Sequence, residues 1–393
     1  MDATAKIILR KGAQHRVEAG HPWVYQTELD TVEGDFAPGD IVDVYNFRRR
    51  FIGRGYINPR SQIIVRLLSR EQEPIDREFF RRRLAAAWQW RQRFVAEPEY
   101  CRLVFGEADF LPALIVDKFG PYLVIQTLAL GIDIYKDMIV GILEEMFNPA
   151  GVYERNDVPV RGLEGLEQRK GYLRGEFPTL IEVRENGIPF YADIENGQKT
   201  GFFYDQRENR AVLKDFVAGA RVLDCFCHTG SFAVHALRYG AEHVSAVDIS
   251  APAVELAAKN AALNGMESRC DFQVANAFDV LRALSDERRQ YDVVILDPPA
   301  FTKNRGGIEG AARGYKEINL RGLKLVRPGG FLVTCSCSYH MDRDFFAAIV
   351  LDAARDARRT VRQVEYRTQA KDHPILPAAP ETNYLKFLVL EVL

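Results

Sequence analysis

Two cysteines with one residue between them follow the apolar run 331–334, in the segment Thr334-Cys335-Ser336-Cys337-Ser338. This pattern predicts a buried strand that ends in a loop carrying a thiol. A thiolate can add to C6 of a cytosine and make C5 nucleophilic enough to take a methyl group. A free cysteine has a pKa of about 8.5, so such a site must favour the thiolate. The alternative is two small core residues, which fits Cys335 better than Cys337.

A second candidate is the segment Asp297-Pro298-Pro299-Ala300-Phe301, which follows the near-continuous apolar run 291–296. Two successive prolines restrict the backbone of the turn, so the Asp297 carboxylate and the Phe301 ring have little freedom. Such a carboxylate could contact the edge of a base while the ring stacks on the base. The alternative is a tight turn whose phenylalanine belongs to the core.

Three earlier predicted strands also end in polar residues, namely Asp224, Asp248 and Asn276. Ligands of parallel sheets bind beyond the carboxyl ends of the strands, where a carboxylate can accept both hydroxyls of a ribose. The amide of Asn276 could bond an adenine edge. The turn 224–230 holds one glycine and so departs from the G-x-G-x-x-G pattern of pyrophosphate binding. We therefore predict a nucleoside cofactor with a sulfonium amino acid, and helix caps are the alternative.

The elements that must position these residues begin near residue 190, where short apolar segments alternate with helix-like segments. The apolar segments lie near 222–224, 244–247, 272–274, 291–296 and 331–334. The helix-like segments lie near 231–239, 251–263, 278–284 and 320–326. Buried strands that alternate with helices predict an α/β fold with a doubly wound, Rossmann-like parallel sheet over residues 191–393.

The first half of the chain has a different pattern. Residues 1–72 hold short β-rich runs separated by glycine and proline, which predict a small β-barrel. A helix is predicted over 76–94, and residues 73–190 as a whole are predicted to form a central α+β domain.

The net charge of −2 does not indicate a polyanionic partner, but the distribution of arginines does. Residues 45–70 contain no acidic residue and seven arginines, namely Arg48, Arg49, Arg50, Arg54, Arg60, Arg66 and Arg70. Residues 79–96 also lack acids and hold five arginines beside Trp88 and Trp90. Guanidinium groups attract phosphates and aromatic rings stack on unpaired bases. The alternative for the second stretch is a solvated helix face with core tryptophans.

No apolar run is long enough to cross a bilayer, and the first ten residues lack the pattern of a signal peptide. The six cysteines form no set with the spacing of a zinc site. We therefore expect a cytoplasmic protein with reduced thiols, no bound metal and no membrane partner.

Across the whole chain the sequence resembles the bacterial 23S ribosomal RNA (cytosine-C5) methyltransferase I family. The first part is similar to a PUA RNA-binding domain, and Phe105-Gly106-Glu107-Ala108-Asp109-Phe110-Leu111-Pro112 is similar to the family's central domain. The segment 297–301 resembles motif IV of methyltransferases that act on nitrogen or carbon of nucleic-acid bases. The run 198–207 resembles motif X, which packs against the cofactor and recurs in RNA methyltransferases with other target atoms.

The resemblance implies S-adenosylmethionine as cofactor and ribosomal RNA, naked or in an assembly intermediate, as partner, and it leaves a homodimer open. It implies that the cofactor is held by Asp224, Phe226, Thr229, Gly230, Asp248, Ile249, Asn276, Ala277, Asp297, Phe202, Gln206 and Arg207. It implies that the RNA is held by Phe301, Pro298, Lys199, Arg48, Arg49, Arg50 and Arg54.

In such enzymes the nucleophile stands seven residues after the second glycine of a Gly-Gly pair. Counted from Gly330, that residue is Cys337, with Asp297 as its catalytic partner. Many relatives have a second cysteine directly after the first proline of motif IV, where this chain has Pro299. Cys335 is therefore the candidate for the product-release role of that cysteine and the second candidate for the nucleophile.

Two other functions remain open. Methylation of a guanine or adenine nitrogen would share the fold, motif X and the Asp-Pro-Pro turn but would need no thiol. A non-catalytic RNA-binding factor in ribosome assembly would need no cofactor, and the presence of Asp224, Asp248, Asp297 and Phe301 argues against it.

Overall fold

The computed structural model describes residues 3, 5–302 and 305–393. The chain divides into two compact units. The N-terminal unit comprises Met1–Val183, Ala192–Tyr204 and Lys371–Thr382, and the C-terminal unit comprises Arg184–Tyr191, Asp205–Ala370 and Asn383–Leu393. Within the described part of the chain, no helix has the length and apolar character that a membrane span requires. Residues 1–72, 73–190 and 191–393 remain our proposed domain division.

The first sheet of the N-terminal unit has six strands in the order β2-β6-β5-β4-β1-β3. The strands are β1 (Ala5–Leu9), β2 (Trp23–Tyr25), β3 (Leu29–Glu33), β4 (Ile41–Tyr45), β5 (Phe51–Ile57) and β6 (Ile63–Ser69), and helix α1 (Gln14–Glu18) follows β1. Alternating apolar side chains such as Val42 and Val44 form its core. Gly55 in β5 is required because a Cβ there would lie 2.0 Å from the carbonyl oxygen of Arg66. The predicted β-rich character of this region is confirmed.

The second sheet has the order β11-β10-β9-β8-β7. Its strands are β7 (Tyr100–Phe105), β8 (Leu114–Phe119), β9 (Tyr122–Thr127), β10 (Gly151–Asn156) and β11 (Arg169–Arg174), and its helices are α2 (Arg77–Phe94), α3 (Leu130–Ile134), α4 (Lys136–Phe147) and α5 (Val160–Leu163). Helix α2 begins where the Asp76 side chain accepts a hydrogen bond from the backbone amide of Phe79. It buries Phe79, Phe80 and Leu84 on one face.

A segment from the far end of the chain completes the N-terminal unit. Asp372 accepts a hydrogen bond from the backbone amide of Arg102, and its own carbonyl accepts one from the fully buried Arg91. Nine residues later, Glu381 pairs with the buried His21 at 3.1 Å. These polar contacts fix residues 371–382 on the N-terminal unit.

Strands β12 (Leu180–Glu185) and β13 (Ile188–Asp193) form a separate two-stranded sheet. The C-terminal unit then forms a seven-stranded sheet in the order β16-β15-β14-β17-β18-β20-β19. Its strands are β14 (Arg221–Cys225), β15 (His243–Asp248), β16 (Cys270–Val274), β17 (Tyr291–Leu296), β18 (Val326–Ser336), β19 (Val361–Arg367) and β20 (Lys386–Val392). The helices are α6 (Arg207–Ala211), α7 (Ser231–Arg238), α8 (Ala251–Leu263), α9 (Ala277–Asp286), α10 (Ile308–Leu325) and α11 (Arg343–Asp356).

Strands β14 to β18 are parallel, and β20 is antiparallel to both of its neighbours. The strand order reverses between β14 and β17, which is the place where doubly wound sheets bind ligands. The predicted alternation of strands and helices is confirmed. The predicted helix 320–326 was wrong in its bounds, because α10 begins at Ile308 and Val326 already belongs to β18. Small residues such as Ala311 and Gly322 occupy buried positions of α10 and hid its period from hydrophobicity alone.

Candidate active site

The turn after β14 has an unusual backbone. Phe226 (φ 66°), His228 (φ 49°) and Gly230 (φ 77°) all adopt the left-handed conformation, which is strained for the first two. A Cβ on Gly230 would lie 2.9 Å from the Cβ of Ala257, so this position needs glycine. Thr229 is buried. The turn directs the chain from β14 into α7 within a few residues and leaves the end of β14 open.

Asp224 lies in β14 directly before this turn and is completely buried. Among the residues that the structure describes, no side chain forms a hydrogen bond with its carboxylate, and the backbone amide of Ala233 lowers its pKa only in part. Burial raises the pKa of Asp224 well above its ordinary value, and the charges of Asp297 and Asp248 raise it further. An unpaired buried carboxyl group is costly unless a ligand with a donor or a positive charge completes it.

Asp248 ends β15 beside the same turn. One carboxylate oxygen accepts a hydrogen bond from the His228 amide at 2.8 Å, and the other accepts one from the Ser250 amide at 2.9 Å. A carboxylate oxygen has two lone pairs, so each oxygen can accept one more hydrogen bond. The next residue, Ile249, is 73% exposed, and such an apolar group at a strand end offers a surface for a flat ring.

Asn276 follows β16 and begins α9. Its side-chain oxygen accepts a hydrogen bond from the Phe278 amide at 2.9 Å, so it caps the helix. Asn276 is exposed, while Ala277 is buried. The cap and the predicted contact with an adenine edge use different atoms of Asn276, and they are compatible.

Asp297 and Gln206 meet at the end of β17. The side-chain nitrogen of Gln206 lies 3.1 Å from both carboxylate oxygens of Asp297, and its oxygen accepts a hydrogen bond from Asn209. Burial raises the pKa of Asp297 to about 6, although the positive charge of Arg210 and the hydrogen bonds from Gln206 act against this rise. The carboxyl group therefore changes its protonation state near neutral pH.

Arg210 is itself fixed by the buried Glu185, whose oxygens lie 2.7 and 2.9 Å from its Nη1. Arg207 lies 4.0 Å from the same carboxylate. Gln206 and Arg207 were predicted from the sequence as site residues, whereas Glu185, Asn209 and Arg210 were not. Glu185 had no signal because it belongs to a strand that precedes the alternating pattern.

The two cysteines of β18 differ in their surroundings. Cys335 is completely buried and opposes Phe387 of β20. Burial raises the pKa of the Cys335 thiol well above its ordinary value, and the charge of Asp297 adds to this rise. Cys337 lies two residues further on, is partly exposed, and has its sulfur 3.9 Å from the carbonyl oxygen of Pro298. The geometry therefore brings both thiols to the Asp297 turn and makes Cys337 the accessible one.

A row of aromatic rings connects the turns after β14 and β17. The ring centroids of Phe226 and Phe278 are 6.2 Å apart, those of Phe278 and Phe301 are 5.7 Å apart, and those of Phe301 and Tyr315 are 4.6 Å apart. Phe226 and Phe301 were predicted from the sequence as site residues, whereas Phe278 and Tyr315, which belong to helices, were not. Phe301 is thus positioned by rings on both sides.

The predicted residues of motif X are divided between the units. Lys199 and Phe202 belong to the N-terminal unit, whereas Gln206 and Arg207 belong to the C-terminal unit. Phe202 is buried, and its ring centroid lies 5.1 Å from that of Tyr204. The Lys199 ammonium lies 4.6 Å from the Phe203 ring centroid.

The predicted RNA-binding arginines do not share one environment. Arg48, Arg49 and Arg50 are exposed, and Arg49 pairs with Glu33 at 2.7 Å. Arg54 is buried, with its guanidinium 2.7 and 3.1 Å from the oxygens of Asp43. The stretch 45–70 is free of acids in sequence but not in space, so we retain only the three exposed arginines as RNA contacts.

Comparisons with known proteins agree with this architecture. A family model of PUA-like domains matches residues 7–70, and a model of S-adenosylmethionine-dependent methyltransferases matches residues 167–389. A protein from Streptococcus mutans, described as a candidate SAM-dependent methyltransferase, has TM-score 0.84 at 20% identity over 98% of this chain and 100% of its own. Another solved structure, of a candidate methyltransferase complexed with SAH, has TM-score 0.83 at 20% identity over the same shares. This chain is therefore an S-adenosylmethionine-dependent methyltransferase with a PUA-like N-terminal region.

Two relatives define the family more narrowly. Ribosomal RNA large subunit methyltransferase I of Shewanella amazonensis is 42% identical over 392 residues, which cover 98% of this chain and 99% of that protein. The protein of the same name from Vibrio cholerae is 41% identical over 396 residues, which cover 99% and 100%. The chain belongs to the ribosomal RNA large subunit methyltransferase I family. The predicted cofactor and the resemblance to this family are confirmed.

Proposed function

We propose that this protein methylates C5 of a cytosine in 23S ribosomal RNA through a covalent bond between Cys337 and C6 of the base. The observation that carries the proposal is the position of the Cys337 thiol, partly exposed at the Asp297 turn with its sulfur 3.9 Å from the Pro298 carbonyl oxygen. Methylation of a base nitrogen needs no thiol at this place, whereas C5 of cytosine does. The family name of the relatives supports ribosomal RNA of the large subunit as the substrate.

The residues of the C-terminal unit fit the cofactor. Asp224 offers a buried carboxyl group without a side-chain partner, Asp248 retains lone pairs for a ribose, and Ile249 offers an exposed apolar surface. Asn276 and Ala277 lie at the next strand end, where an adenine edge would be read. Bound S-adenosylmethionine supplies an electrophilic methyl group to this edge of the sheet.

The reaction requires four actions of the protein. Phe301 stacks on the cytosine, and the backbone of Pro298 limits its position. The Cys337 thiolate adds to C6. The electrons of the C5–C6 double bond shift through the ring toward N3, and Asp297 donates its proton to N3. C5 is now enamine-like and would take the methyl group, with S-adenosylhomocysteine as the leaving group. Water then takes the C5 proton, the C5–C6 double bond re-forms, and the electron pair of the S–C6 bond returns to Cys337 as it leaves. N3 gives its proton back to Asp297, which restores the starting state of both groups.

Asp297 is suited to this role because its pKa of about 6 lets it carry a proton in part of the molecules at neutral pH. A carboxyl group with an ordinary pKa would be ionised almost completely and could only accept a hydrogen bond. Cys335 is fully buried and hydrogen-bonded to the Asp297 carboxyl group. It is therefore expected to contact this carboxyl group and not the cytosine. We assign Cys335 to orienting this carboxyl group during addition and product release.

The exposed arginines Arg48, Arg49 and Arg50 of the PUA-like region would hold phosphates of the RNA, either as naked RNA or in an assembly intermediate. Such a substrate places the activity in the cytoplasm. Lys199 and Phe202 are further proposed contacts, to the RNA and to the cofactor respectively.

The proposal is tested by bisulfite sequencing of 23S ribosomal RNA from a strain that lacks the gene. One cytosine should lose its protection from bisulfite, and a plasmid copy of the wild-type gene should restore it. A plasmid copy with Asp297→Ala should not. If every 5-methylcytosine persists in the deletion strain while another methylated base disappears, the enzyme modifies a different atom.

A further inference from the structure

Lys386 begins β20 and is almost completely buried, with 6% of its surface exposed. Its ammonium group donates hydrogen bonds to the backbone carbonyls of Ser338 and Tyr384, both at 2.7 Å. Both acceptors are neutral, and within residues 5–302 and 305–393 no carboxylate forms a salt bridge with Lys386. A buried ammonium group without a carboxylate partner is uncommon, because burial disfavours the charged form.

The charge of Lys386 lies beside Cys337. Lys386 opposes Ser336 in the register between β18 and β20, and it donates to the carbonyl of Ser338. Cys337 is the residue between these two serines, so the backbone on both sides of the thiol is in contact with Lys386. The two side chains are close enough to interact electrostatically, because the charge of an ionised Cys337 raises the pKa of Lys386. Coupling between two charges is mutual, so the ammonium group must favour the thiolate by the same free energy.

We propose that Lys386 is a positioning residue for the proposed nucleophile: its buried ammonium group holds Cys337 as a thiolate beside the Asp297 turn. This inference rests on the proposed cytosine-C5 function and adds a residue that belongs neither to motif IV nor to the segment 334–338 that carries the cysteines. The proton of the thiol passes to water, and Lys386 keeps its own proton. When the S–C6 bond breaks at the end of the reaction, the same ammonium group stabilises the departing thiolate.

Other polar groups near Lys386 do not replace this role. Asp342, the N-cap of α11, acts on Lys386 as a charge of smaller effect than Cys337 and helps to keep it protonated. The Tyr315 hydroxyl forms hydrogen bonds with the hydroxyls of Ser336 and Ser338. Burial raises the pKa of Tyr315 to about 12, so this hydroxyl stays neutral. Lys386 is thus the cation that acts on the thiol from β20.

The proposal has a defined pH range. Burial lowers the pKa of Lys386 to about 8, against the opposite effects of Cys337 and Asp342. Below this pH the ammonium group is present and favours the thiolate. Above it the group loses its proton, and the stabilisation of the thiolate fades.

The test measures alkylation of Cys337 in the full chain without RNA, so it does not depend on catalysis. Iodoacetamide reacts with thiolates, and tandem mass spectrometry separates Cys335 from Cys337 within one tryptic peptide. A Cys270→Ser background removes the other partly exposed thiol. The pH of half-maximal alkylation is compared between the protein with its native lysine and the variants Lys386→Met, Lys386→Gln and Lys386→Arg. Lys324→Met, on the exposed end of α10, is the matched control.

We expect Lys386→Met and Lys386→Gln to move the midpoint up by about 1 pH unit and to slow alkylation at pH 7 about tenfold. Lys386→Arg should restore most of the rate because it keeps the charge, and Lys324→Met should have no effect. Unchanged midpoints in both neutral variants would overturn the proposal. So would a shift in Lys386→Arg as large as that in Lys386→Met, since the side chain would then act only through packing.

A reciprocal variant keeps the test decisive if the substitutions of Lys386 do not fold. Cys337→Ser removes the thiolate and should lower the pKa of Lys386, measured by competitive acetylation of that lysine over a pH series. An unchanged pKa of Lys386 would also overturn the proposal. Failure of the cytosine-C5 function is a separate outcome, because it would show as the absence of a covalent complex between wild-type protein and RNA containing 5-fluorocytosine.

Discussion

The side-chain nitrogen of Gln206 lies 3.1 Å from both carboxylate oxygens of Asp297, so one residue from motif X holds the carboxyl group of motif IV. The hydrogen bonds favour the ionised form of Asp297 and act against the burial that raises its pKa to about 6. Gln206 therefore acts together with the larger effects of burial, Arg210 and Asp205 on how much of the proposed acid is protonated at a given pH.

Gln206→Leu should raise the pKa of Asp297 above 6, because it removes two hydrogen bonds to the charged form. If the protonated carboxyl group is the active form, kcat/KM falls as pH rises through this pKa. The basic limb of the pH profile should then move to higher pH in the variant. Asn209→Leu, which leaves both Gln206 bonds to Asp297 in place but removes the side chain that bonds Gln206, Thr368 and Arg367, is the matched control and should give a smaller shift. A basic limb that moves down instead would mean that Asp297 acts in its ionised form.

Asp224→Asn should stabilise the protein in the absence of cofactor. The folded-state pKa of Asp224 is raised well above its ordinary value by burial and by Asp297 and Asp248. A carboxyl group with a raised pKa binds a proton on folding, so stability is lost as pH rises from the unfolded pKa of about 3.9 through the folded one. Asparagine is neutral throughout and should raise the unfolding free energy at pH 7 by on the order of 1–3 kcal/mol.

Thermal unfolding of both proteins between pH 5 and pH 8 checks this prediction. The difference in melting temperature should grow with pH across this range. The same substitution should weaken binding of S-adenosylmethionine, because a positively charged ligand loses its negative partner. A variant that is less stable at pH 8 than at pH 5, relative to wild type, would mean that Asp224 is ionised and paired in the folded protein.

Asp248→Ala should weaken binding of S-adenosylmethionine by about 2 kcal/mol, the cost of losing hydrogen bonds to a charged acceptor. Isothermal titration calorimetry gives the affinity directly. Asp271→Ala changes an exposed carboxylate of the neighbouring strand β16 and should leave the affinity unchanged. Asp248 also accepts hydrogen bonds from the backbone amides of His228 and Ser250. Asp248→Asn is therefore included as a variant that keeps a hydrogen-bond acceptor. Equal affinity in Asp248→Ala and wild type would remove this residue from the cofactor site.

Replacing Arg48, Arg49 and Arg50 together by glutamine should weaken RNA binding and flatten its dependence on salt. Each phosphate that the variant no longer neutralises should reduce the slope of log K against log salt by about 0.7 for single-stranded RNA. Arg288→Gln with Arg289→Gln, on the exposed loop after α9, is the control for a general decrease in positive charge. A slope equal to that of wild type would mean that the three arginines are solvated surface residues.

The sequence predicted the C-terminal sheet and its strand-end residues because apolar strands and helices alternate there with clear periods. It did not predict that Arg54 is buried, because its partner Asp43 lies outside the acid-free stretch and only strand pairing brings the two together. It did not reveal Lys386, since a lysine before an apolar strand looks like an ordinary exposed residue until its register against Ser336 is known. The anchoring of residues 371–382 in the N-terminal unit depends on contacts across most of the chain, such as that between Asp372 and Arg102, which no local pattern contains.

The assignment of the nucleophile gives the most direct test of the proposed chemistry. RNA with 5-fluorocytosine at the target cannot lose a C5 proton after methyl transfer, so the enzyme should remain covalently attached to it. Cys337→Ala should abolish both turnover and this complex, because it removes the accessible thiol. Cys335→Ala should still form the complex, since the Cys335 thiol is completely buried and burial raises its pKa well above the ordinary value.

Denaturing gel electrophoresis of the labelled RNA resolves the covalent complex, and Cys270→Ala on the edge strand β16 is the control for removal of any thiol. If the complex persists in Cys337→Ala and disappears in Cys335→Ala, the buried thiol is the nucleophile and must become accessible when RNA binds. If both cysteine variants retain full turnover, the thiols take no part in the reaction. The Asp-Pro-Pro turn would then serve methylation of a base nitrogen, for which the Asp297 carboxylate alone is sufficient.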